Sequence, residues 1–230
     1  MKKLLLVAFF AVTCIVNPHL APAQDKDKEK IDMLIAELRQ GNPRAAYVLG
    51  EMGTKAKEAI PALVEALKRE PMPGESVADN AALALGKIGA DAVPALVRVL
   101  GDSSATNAWP HAASALKVIG PGARDAVPVL IEVAKKPPPK DVLTPCLAVD
   151  ALGAIGPGAK PAVPALAELL RHNVLKHPNG RTHIVVTLGK IGPDAAESVK
   201  ALHEVRERAD AVLRLHIDEA LERIEPKKKG

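Results

Sequence analysis

The chain has 230 residues, enough for one domain or for two small domains that each bury a core. Hydrophobic residues make up 48% of the sequence but aromatic residues only 2%. Any core is therefore built from Leu, Val, Ile and Ala, and the shortage of rings argues against a stacking platform for carbohydrate or single-stranded nucleic acid. The formal net charge of +4 is too small to indicate a polyanionic partner.

The N-terminal segment has the features of a secretory signal peptide. Lys2 and Lys3 precede an apolar run over residues 4–16, and the sequence "APA" ends at Ala23. We therefore predict that residues 1–23 are a signal peptide, cut after Ala23, and that the protein is exported to the periplasm or secreted. The run of 13 residues is shorter than the roughly 20 that a membrane-spanning helix needs. An uncleaved membrane anchor is the weaker alternative.

Cleavage would change both the charge and the cysteine content. Without Lys2 and Lys3, 29 of the 31 basic side chains remain against 27 acidic ones, so the mature chain is nearly neutral. Cys14 would be removed, and Cys146 alone cannot form an internal disulfide. Cys14 also leaves a lipoprotein as an alternative, although Thr13 stands where a small Gly, Ala or Ser is usual. The mature fold must depend on packing.

The start of the mature chain reads as a charged linker followed by a helix. In residues 24–30, Gln24 is followed by alternating acidic and basic side chains, and the next segment places apolar residues on one helical stripe. We predict a lone capping helix there, before the first full repeat, with stripe residues Ile31, Leu34, Ile35 and Leu38. The repeat domain covers residues 31–226, and residues 227–230 are a basic tail.

A short motif recurs five times along this domain. Its copies are "LGEMG", "LGKIG", "LKVIG", "LGAIG" and "LGKIG", and their starts are 36, 31, 36 and 36 residues apart. Each copy is followed by a second apolar block, such as "AVPALVRVL" or "AVPALAELL". A period in the thirties with two helix-length blocks per unit predicts a helical solenoid. The copies start at Leu49, Leu85, Leu116, Leu152 and Leu188.

Glycine and proline mark the ends of these blocks. A glycine follows the last apolar residue of each first block, where a left-handed conformation is favoured and only glycine adopts it without penalty. A proline opens four of the second blocks, in a turn whose amides need no intrahelical partner. The glycines are Gly53, Gly89, Gly120, Gly156 and Gly192, and the prolines are Pro61, Pro94, Pro128 and Pro164.

A second set of glycines lies inside the first helix of four units, at a cost of about 1 kcal/mol each relative to Ala. We interpret them as points where neighbouring helices approach closely. Lys117 occupies the equivalent position of the remaining unit. The four glycines are Gly50, Gly86, Gly153 and Gly189.

The segments "AALALGKIGADAVPALVRVL" and "AVDALGAIGPGAKPAVPALAELL" resemble HEAT-like repeats of the bacterial type, which also occur in phycobilin lyases. The likeness covers residues 31–226. It implies an all-α fold, a right-handed α-solenoid of about five stacked HEAT-like helical hairpins with capping helices at both ends. It also implies that the second helices line the concave side. The charges in "ALERIEP" suggest that the last helix faces water.

Superposing the second helices reveals a charged ladder. Four residues after the proline position stand Glu65, Arg98, Glu132, Glu168 and Glu204. Eight residues after it stand Arg69, Asp102, Lys136, His172 and Arg208. These positions are expected to face solvent on the concave side. They predict either i,i+4 pairs worth ~0.2–0.5 kcal/mol each or a surface that a partner reads.

Other chemistry-bearing residues fit structural roles better. Trp109 either covers the start of a helix or is an exposed interface anchor. Cys146 is expected to be a buried structural thiol, and Asp150 an exposed residue at a tolerant position. The histidines lack the spacing of a zinc motif. We predict no catalytic residue, no metal ligand and no cofactor.

These features favour an exported, non-catalytic scaffold that binds a protein or peptide along the concave face, and they argue against nucleic acid as a partner. Two alternatives stay open. One is a lyase-like or chromophore-handling enzyme of the HEAT-like family, and the other is a periplasmic metal-binding protein that uses the histidines. The partner's identity and the oligomeric state do not follow from the sequence.

Overall fold

The computed structural model describes residues 23–69, 77–136, 141–175 and 177–226, with side chains from Lys26 onward. Residues 1–22, which hold nearly all of the predicted signal peptide, and the basic tail 227–230 lie outside the described residues. In the described ranges the chain contains α-helices and short 3-10 segments but no strand. The prediction of an all-α chain is confirmed.

Twelve α-helices lie within the described ranges. They are α1 (Ala23–Arg39), α2 (Pro43–Glu51), α3 (Ile60–Leu67), α4 (Val77–Ile88), α5 (Val93–Gly101), α6 (Trp109–Ile119), α7 (Val127–Lys135), α8 (Thr144–Ile155), α9 (Val163–His172), α10 (Gly180–Ile191), α11 (Val199–Arg206) and α12 (Ala211–Ile224). None of the helices in these ranges combines the length and the apolar character that a membrane crossing requires.

The helices form five two-helix units between two capping helices. The first helices are the even-numbered helices from α2 to α10, which pack side by side, and α12 extends their row. The second helices α3, α5, α7, α9 and α11 form another row. The helix α1 packs on the first unit, and α12 packs on α10 and α11. The predicted solenoid with a cap at each end is confirmed.

Residues 24–30, predicted as a charged linker, form part of the first turns of α1. Their side chains from Lys26 to Lys30 are exposed or half-buried, and Asp27 pairs with Lys55 at 2.9 Å. The capping helix therefore begins earlier than the apolar stripe does. The stripe predicted the buried face correctly, since Ile31, Leu34 and Leu38 are buried.

The bend inside each unit is built on a glycine in a conformation that other residues rarely adopt. Gly156 has φ 70° and ψ −135°, and Gly192 has φ 73° and ψ −141°. Positive φ was predicted, but ψ places these residues outside the left-handed helical region that was expected. In each case a 3-10 segment follows, Gly156–Ala162 or Gly192–Ser198, so the connection is a tight helical turn and not a simple bend.

Close approach of the first helices explains the glycines inside them. A Cβ on Gly50 would lie 2.9 Å from the Cα of Ala84, and a Cβ on Gly86 would lie 2.5 Å from a methyl group of Val118. Gly153 and Gly189 face the next first helix in the same way. The prediction that these positions are contact points is confirmed, and larger side chains would separate neighbouring units.

One apolar cluster runs through all five units. Leu residues from the first and second helices fill it, and alanines fill the narrow spaces between the first helices. Leu85, Leu116 and Leu152 are fully buried, so the recurring motif starts mark the centre of each unit. Because each unit buries its apolar faces only against its neighbours, the stability of the array depends on the contacts between successive units.

Candidate functional site

The second-helix surface consists of the outward-facing side chains of α3, α5, α7, α9 and α11 and of the residues that directly follow these helices. All five residues at the first ladder position are exposed: Glu65, Arg98, Glu132, Glu168 and Glu204. The prediction that these residues face solvent is confirmed.

The predicted i,i+4 pairs are mostly wrong. Within the described ranges only Glu132 and Lys136 pair in this way, at 3.5 Å. The second helices end before the second ladder position in four of the five units, and Lys136 pairs with Glu132 from just beyond the end of α7. Only α9 includes that position, at His172, and there no pair with Glu168 is observed within the described part of the chain.

Two residues at the second ladder position form hydrogen bonds outside these pairs. Arg69 donates a hydrogen bond to the carbonyl oxygen of Arg39 at 2.5 Å, and this satisfies the C-terminal end of α1. Asp102 accepts hydrogen bonds from the hydroxyl and the amide of Ser104, at 2.6 Å and 2.9 Å. These bonds hold the pKa of Asp102 below its usual value. Lys136, His172 and Arg208 are exposed.

Charged contacts on this surface also link neighbouring units. Arg171 in α9 donates to Glu204 in α11 at 2.8 Å, and this bond lowers the pKa of Glu204. Within the first unit, Glu65 in α3 pairs with Lys68, the residue after α3, at 3.1 Å. Arg98 and Glu168 make no ion pair or side-chain hydrogen bond within the described ranges.

A groove between α3 and α5 combines this charge with an apolar floor. It encloses about 330 Å³ and contains four charged residues. A second cavity of about 420 Å³ lies between α11 and α12. The first groove is lined by Ile60, Pro61, Val64, Glu65, Lys68, Ala95, Arg98, Val99 and Asp102, and the second by His203, Leu221, Glu222, Glu225 and Pro226.

Trp109 takes the first of its two predicted roles. The side chain is half-buried against the apolar cluster at the start of α6, and its indole Nε1 donates to the carbonyl oxygen of Asp102 at 3.1 Å. It therefore covers a helix end and ties α6 to the loop after α5.

Asp150 is not the exposed residue that the sequence suggested. It is half-buried in α8 and accepts hydrogen bonds from Lys117 Nζ in α6, at 2.8 Å, and from His183 Nδ1 in α10, at 2.7 Å. Burial opposes ionisation of Asp150, but the two hydrogen bonds and the two charges outweigh it and lower its pKa. Three successive first helices therefore meet at one carboxylate.

Beside this carboxylate, three potential ligand groups lie together. One ligand atom each from Cys146, His177 and His183 falls within 4.8 Å of the other two. Cys146 is buried, as predicted, and its Sγ donates to the carbonyl oxygen of Val142 at 3.6 Å. Burial, followed by the charges of Asp150 and Asp141, raises the pKa of Cys146 to about 11.

The histidines of this cluster have defined orientations. The ring centroids of His177 and His183 are 5.7 Å apart, and the rings meet edge to face. His177 Nδ1 accepts a hydrogen bond from the amide of Asn179 at 3.2 Å, and both rings are half-buried. The three groups come from the first turn of α8, the first turn of α10 and the loop before α10.

The sequence did not reveal this cluster, because the histidines and the cysteine were compared only with the short spacings of zinc motifs. Cys146 and His177 are 31 residues apart, which is near the repeat period and not a zinc-motif spacing. A usable signal was present at Lys117, which replaces a contact glycine, because the unusual Asp150 follows 33 residues later. Two residues that depart from the repeat pattern and lie one repeat period apart predict a contact between neighbouring units.

Comparisons with known proteins agree with this architecture. Residues 31–117 match HEAT repeats, and residues 146–172 match the PBS lyase HEAT-like repeat. No curated protein is similar enough in sequence to count as a match.

Solved structures show the same fold. A crystal structure of an engineered protein from the Northeast Structural Genomics Consortium is 21% identical with a TM-score of 0.54, and the match covers 86% of this chain and 96% of that one. A second engineered protein from the same consortium is 22% identical with a TM-score of 0.50, and the match covers 85% of this chain and 58% of that one. Identities this low bear on the fold alone. The chain is therefore an all-α solenoid that contains HEAT-like repeats.

Proposed function

We propose that the protein is an exported, non-catalytic scaffold that binds a protein or peptide partner along the second-helix surface. The observation that carries this proposal is the state of the ladder charges. Three of the five residues at the first position pair with a neighbouring base, but Arg98 and Glu168 make no ion pair or side-chain hydrogen bond in the described ranges. Charged groups such as Arg98 and Glu168 are therefore available to a partner.

The arrangement favours an extended partner. Each unit presents one residue at the first ladder position, so a segment that crosses the second helices meets side chains at regular intervals. The groove between α3 and α5 adds an apolar floor with Val64 and Val99, where a partner side chain gains burial.

The signs of the ladder define the chemistry of the partner. Four of its five residues at the first position are acidic, and Arg98 is the exception. Three of the four acidic residues already pair with bases of this chain. We therefore propose a segment with an acidic residue opposite Arg98 and a basic residue opposite Glu168. Complementary charges of this kind determine orientation and association rate more than they determine affinity.

In the first step of the test, the mature chain, residues 24–230, is used to recover a reproducible partner from envelope extract. Affinity is then measured by calorimetry for the double variant Glu132→Lys, Glu168→Lys. We expect weaker binding with an unchanged unfolding midpoint, because both side chains are exposed. The matched control is Asp125→Lys, Glu197→Lys, which makes the same charge change on exposed residues outside the second helices. Equal affinity of both double variants and the wild type would refute the proposed surface.

We also propose that the chain reaches the periplasm or is secreted after cleavage behind Ala23. The support is the basic start, the apolar run and the "APA" sequence of residues 1–23. Fractionation followed by N-terminal sequencing tests this proposal. A mature chain that starts at Gln24 would support it, and a full-length chain retained in the membrane fraction would indicate an uncleaved anchor instead.

A further inference from the structure

We propose that Cys146, His177 and His183 bind a divalent cation of the Zn²⁺ class, with Asp150 as the residue that positions His183. This site lies among the first helices and is separate from the second-helix surface, so it goes beyond the proposed scaffold function. It also revises the prediction, made from local spacing, that the chain has no metal ligand.

The donor set fits such a cation. One sulfur and two imidazole nitrogens are the ligands that Zn²⁺ prefers, and three protein ligands leave a fourth position for water. The ligand atoms lie within 4.8 Å of one another. Zn–S and Zn–N bonds of ~2.3 and ~2.0 Å therefore require the three side chains to move inward by a small amount.

Asp150 gives this cluster the outer contact that metal-binding histidines usually have. Its Oδ1 lies 2.7 Å from His183 Nδ1. A proton on Nδ1 completes that hydrogen bond and leaves the lone pair of Nε2 free for a cation. The other oxygen, Oδ2, accepts from Lys117 Nζ at 2.8 Å, so the carboxylate is itself held in place.

A cation can reach this site from solvent, and its binding would break only one hydrogen bond of the histidines. Cys146 supplies the buried side of the site, whereas His177 and His183 are half-buried and lie toward solvent. The cation replaces the proton on Sγ, which passes to solvent, and no oxidation or reduction takes place. Binding to either nitrogen of His177 ends the hydrogen bond from Asn179, whose amide lies in an exposed loop residue and can bond to water.

The expected consequence is a clamp between units. The three ligands come from α8, from α10 and from the loop between α9 and α10, so a bound cation would hold the fourth and fifth units together. Because the unfolded chain does not hold the three ligands together, binding should also raise the unfolding temperature.

The test uses the untagged chain, stripped with a chelator and titrated with Co²⁺ and then with Zn²⁺. We expect a thiolate-to-cobalt charge-transfer band that saturates at one equivalent and is lost when Zn²⁺ displaces the cobalt. Cys146→Ser and His183→Ala should each abolish the band. Asp150→Asn should keep the band but weaken Zn²⁺ affinity by about 10–100-fold, the usual effect of losing an outer-sphere partner.

The control is His172→Ala, an exposed histidine in the neighbouring helix α9, which should bind like the wild type. Circular dichroism identifies any variant that fails to fold, and His183→Ala, in a half-buried position, keeps the test valid if Cys146→Ser unfolds. A wild-type titration without the charge-transfer band would overturn the proposal. Equal Zn²⁺ affinities of wild type and folded His183→Ala would also overturn it.

Discussion

Lys117 in α6 and Asp150 in α8 form an ion pair, with Nζ 2.8 Å from Oδ2, at the junction where the contact glycine of the other units is replaced. The side chain of Lys117 extends from α6 to this carboxylate in the neighbouring first helix. Asp150 has 20% of its side chain exposed. Charge complementarity therefore substitutes here for the contact of small residues.

Removing that charge should destabilise the array modestly. Lys117→Met keeps an apolar stem but leaves Asp150 with His183 alone, and we expect a loss of about 1 kcal/mol in the free energy of unfolding. Urea unfolding measures this loss. Lys57→Met is the matched control, because Lys57 is exposed and makes no ion pair within the described ranges. Equal midpoints for the two variants would contradict a stabilising role for the pair.

The pattern of the repeat predicted most of the architecture. Gly50 and Leu152 could be assigned to a helix contact and to the centre of a unit because each recurs at a fixed place in the period. The local turn was predicted less well, because the sequence gives no direct measure of ψ at Gly156. The extent of the second helices was also misjudged, since α3 ends at Leu67, before Arg69, the predicted partner of Glu65.

The Cys146 cluster was not predicted at all. Its members are brought together by the stacking of units, and their positions along the chain follow no helical spacing. Sequence analysis treated Asp150 by itself, whereas its environment depends on Lys117 and His183 in the two neighbouring units. Contacts between units become predictable only when residues that depart from the repeat pattern are compared with those one repeat period away.

Leu152 should be a centre of stability, since its side chain is fully buried. Leu152→Ala removes apolar volume from a packed core, and we expect a cost of about 2–5 kcal/mol. The matched control, Leu215→Ala in α12, removes the same atoms from a residue that is 58% exposed. Urea unfolding of both variants tests the assignment. A cost below about 0.5 kcal/mol for Leu152→Ala would contradict the position of the unit centre.

Gly50 should tolerate no side chain, although alanine is the better helix former. Its Cβ would lie 2.9 Å from the backbone Cα of Ala84, so α2 and α4 would have to separate. Overpacking of this kind costs about 1–3 kcal/mol, which exceeds the gain of about 1 kcal/mol in helix propensity. We expect Gly50→Ala to lower the unfolding midpoint.

Gly101 provides the control for that prediction. It lies at the end of α5, and a Cβ there would meet no atom within 4 Å. Gly101→Ala should therefore be neutral or slightly stabilising. If both alanine variants changed the midpoint in the same direction, the close contact of α2 and α4 would not be the cause.

The C-terminal cap should respond to acid through Asp218. Arg206 Nε and Nη2 donate to its two carboxylate oxygens at 2.5 Å and 3.1 Å, which ties α12 to α11. These bonds lower the pKa of Asp218, aided by the charges of Arg206, Arg214 and His203, while desolvation opposes them. A lowered folded-state pKa means that the stabilisation is complete above the unfolded pKa of about 4 and is lost as the pH falls through the lower folded value.

Asp218→Asn isolates this effect. The variant should unfold at a lower temperature than the wild type at pH 7, and the difference should shrink below about pH 4. Hydrogen exchange of the α12 amides at both pH values locates the change. A difference between wild type and variant that grows on acidification would have the wrong sign for a lowered carboxyl pKa.

The thiol of Cys146 should react slowly in the metal-free protein. Its pKa of about 11 leaves on the order of one molecule in a thousand ionised at pH 8, and the thiolate is the reactive form. Burial slows access further. With Cys14 changed to Ser, modification by a disulfide reagent should be far slower than in the urea-unfolded chain, and its rate should rise about tenfold per pH unit between pH 8 and 10. A native rate equal to the unfolded rate would mean that α8 opens at this position, because neither the raised pKa nor burial would then protect the sulfur.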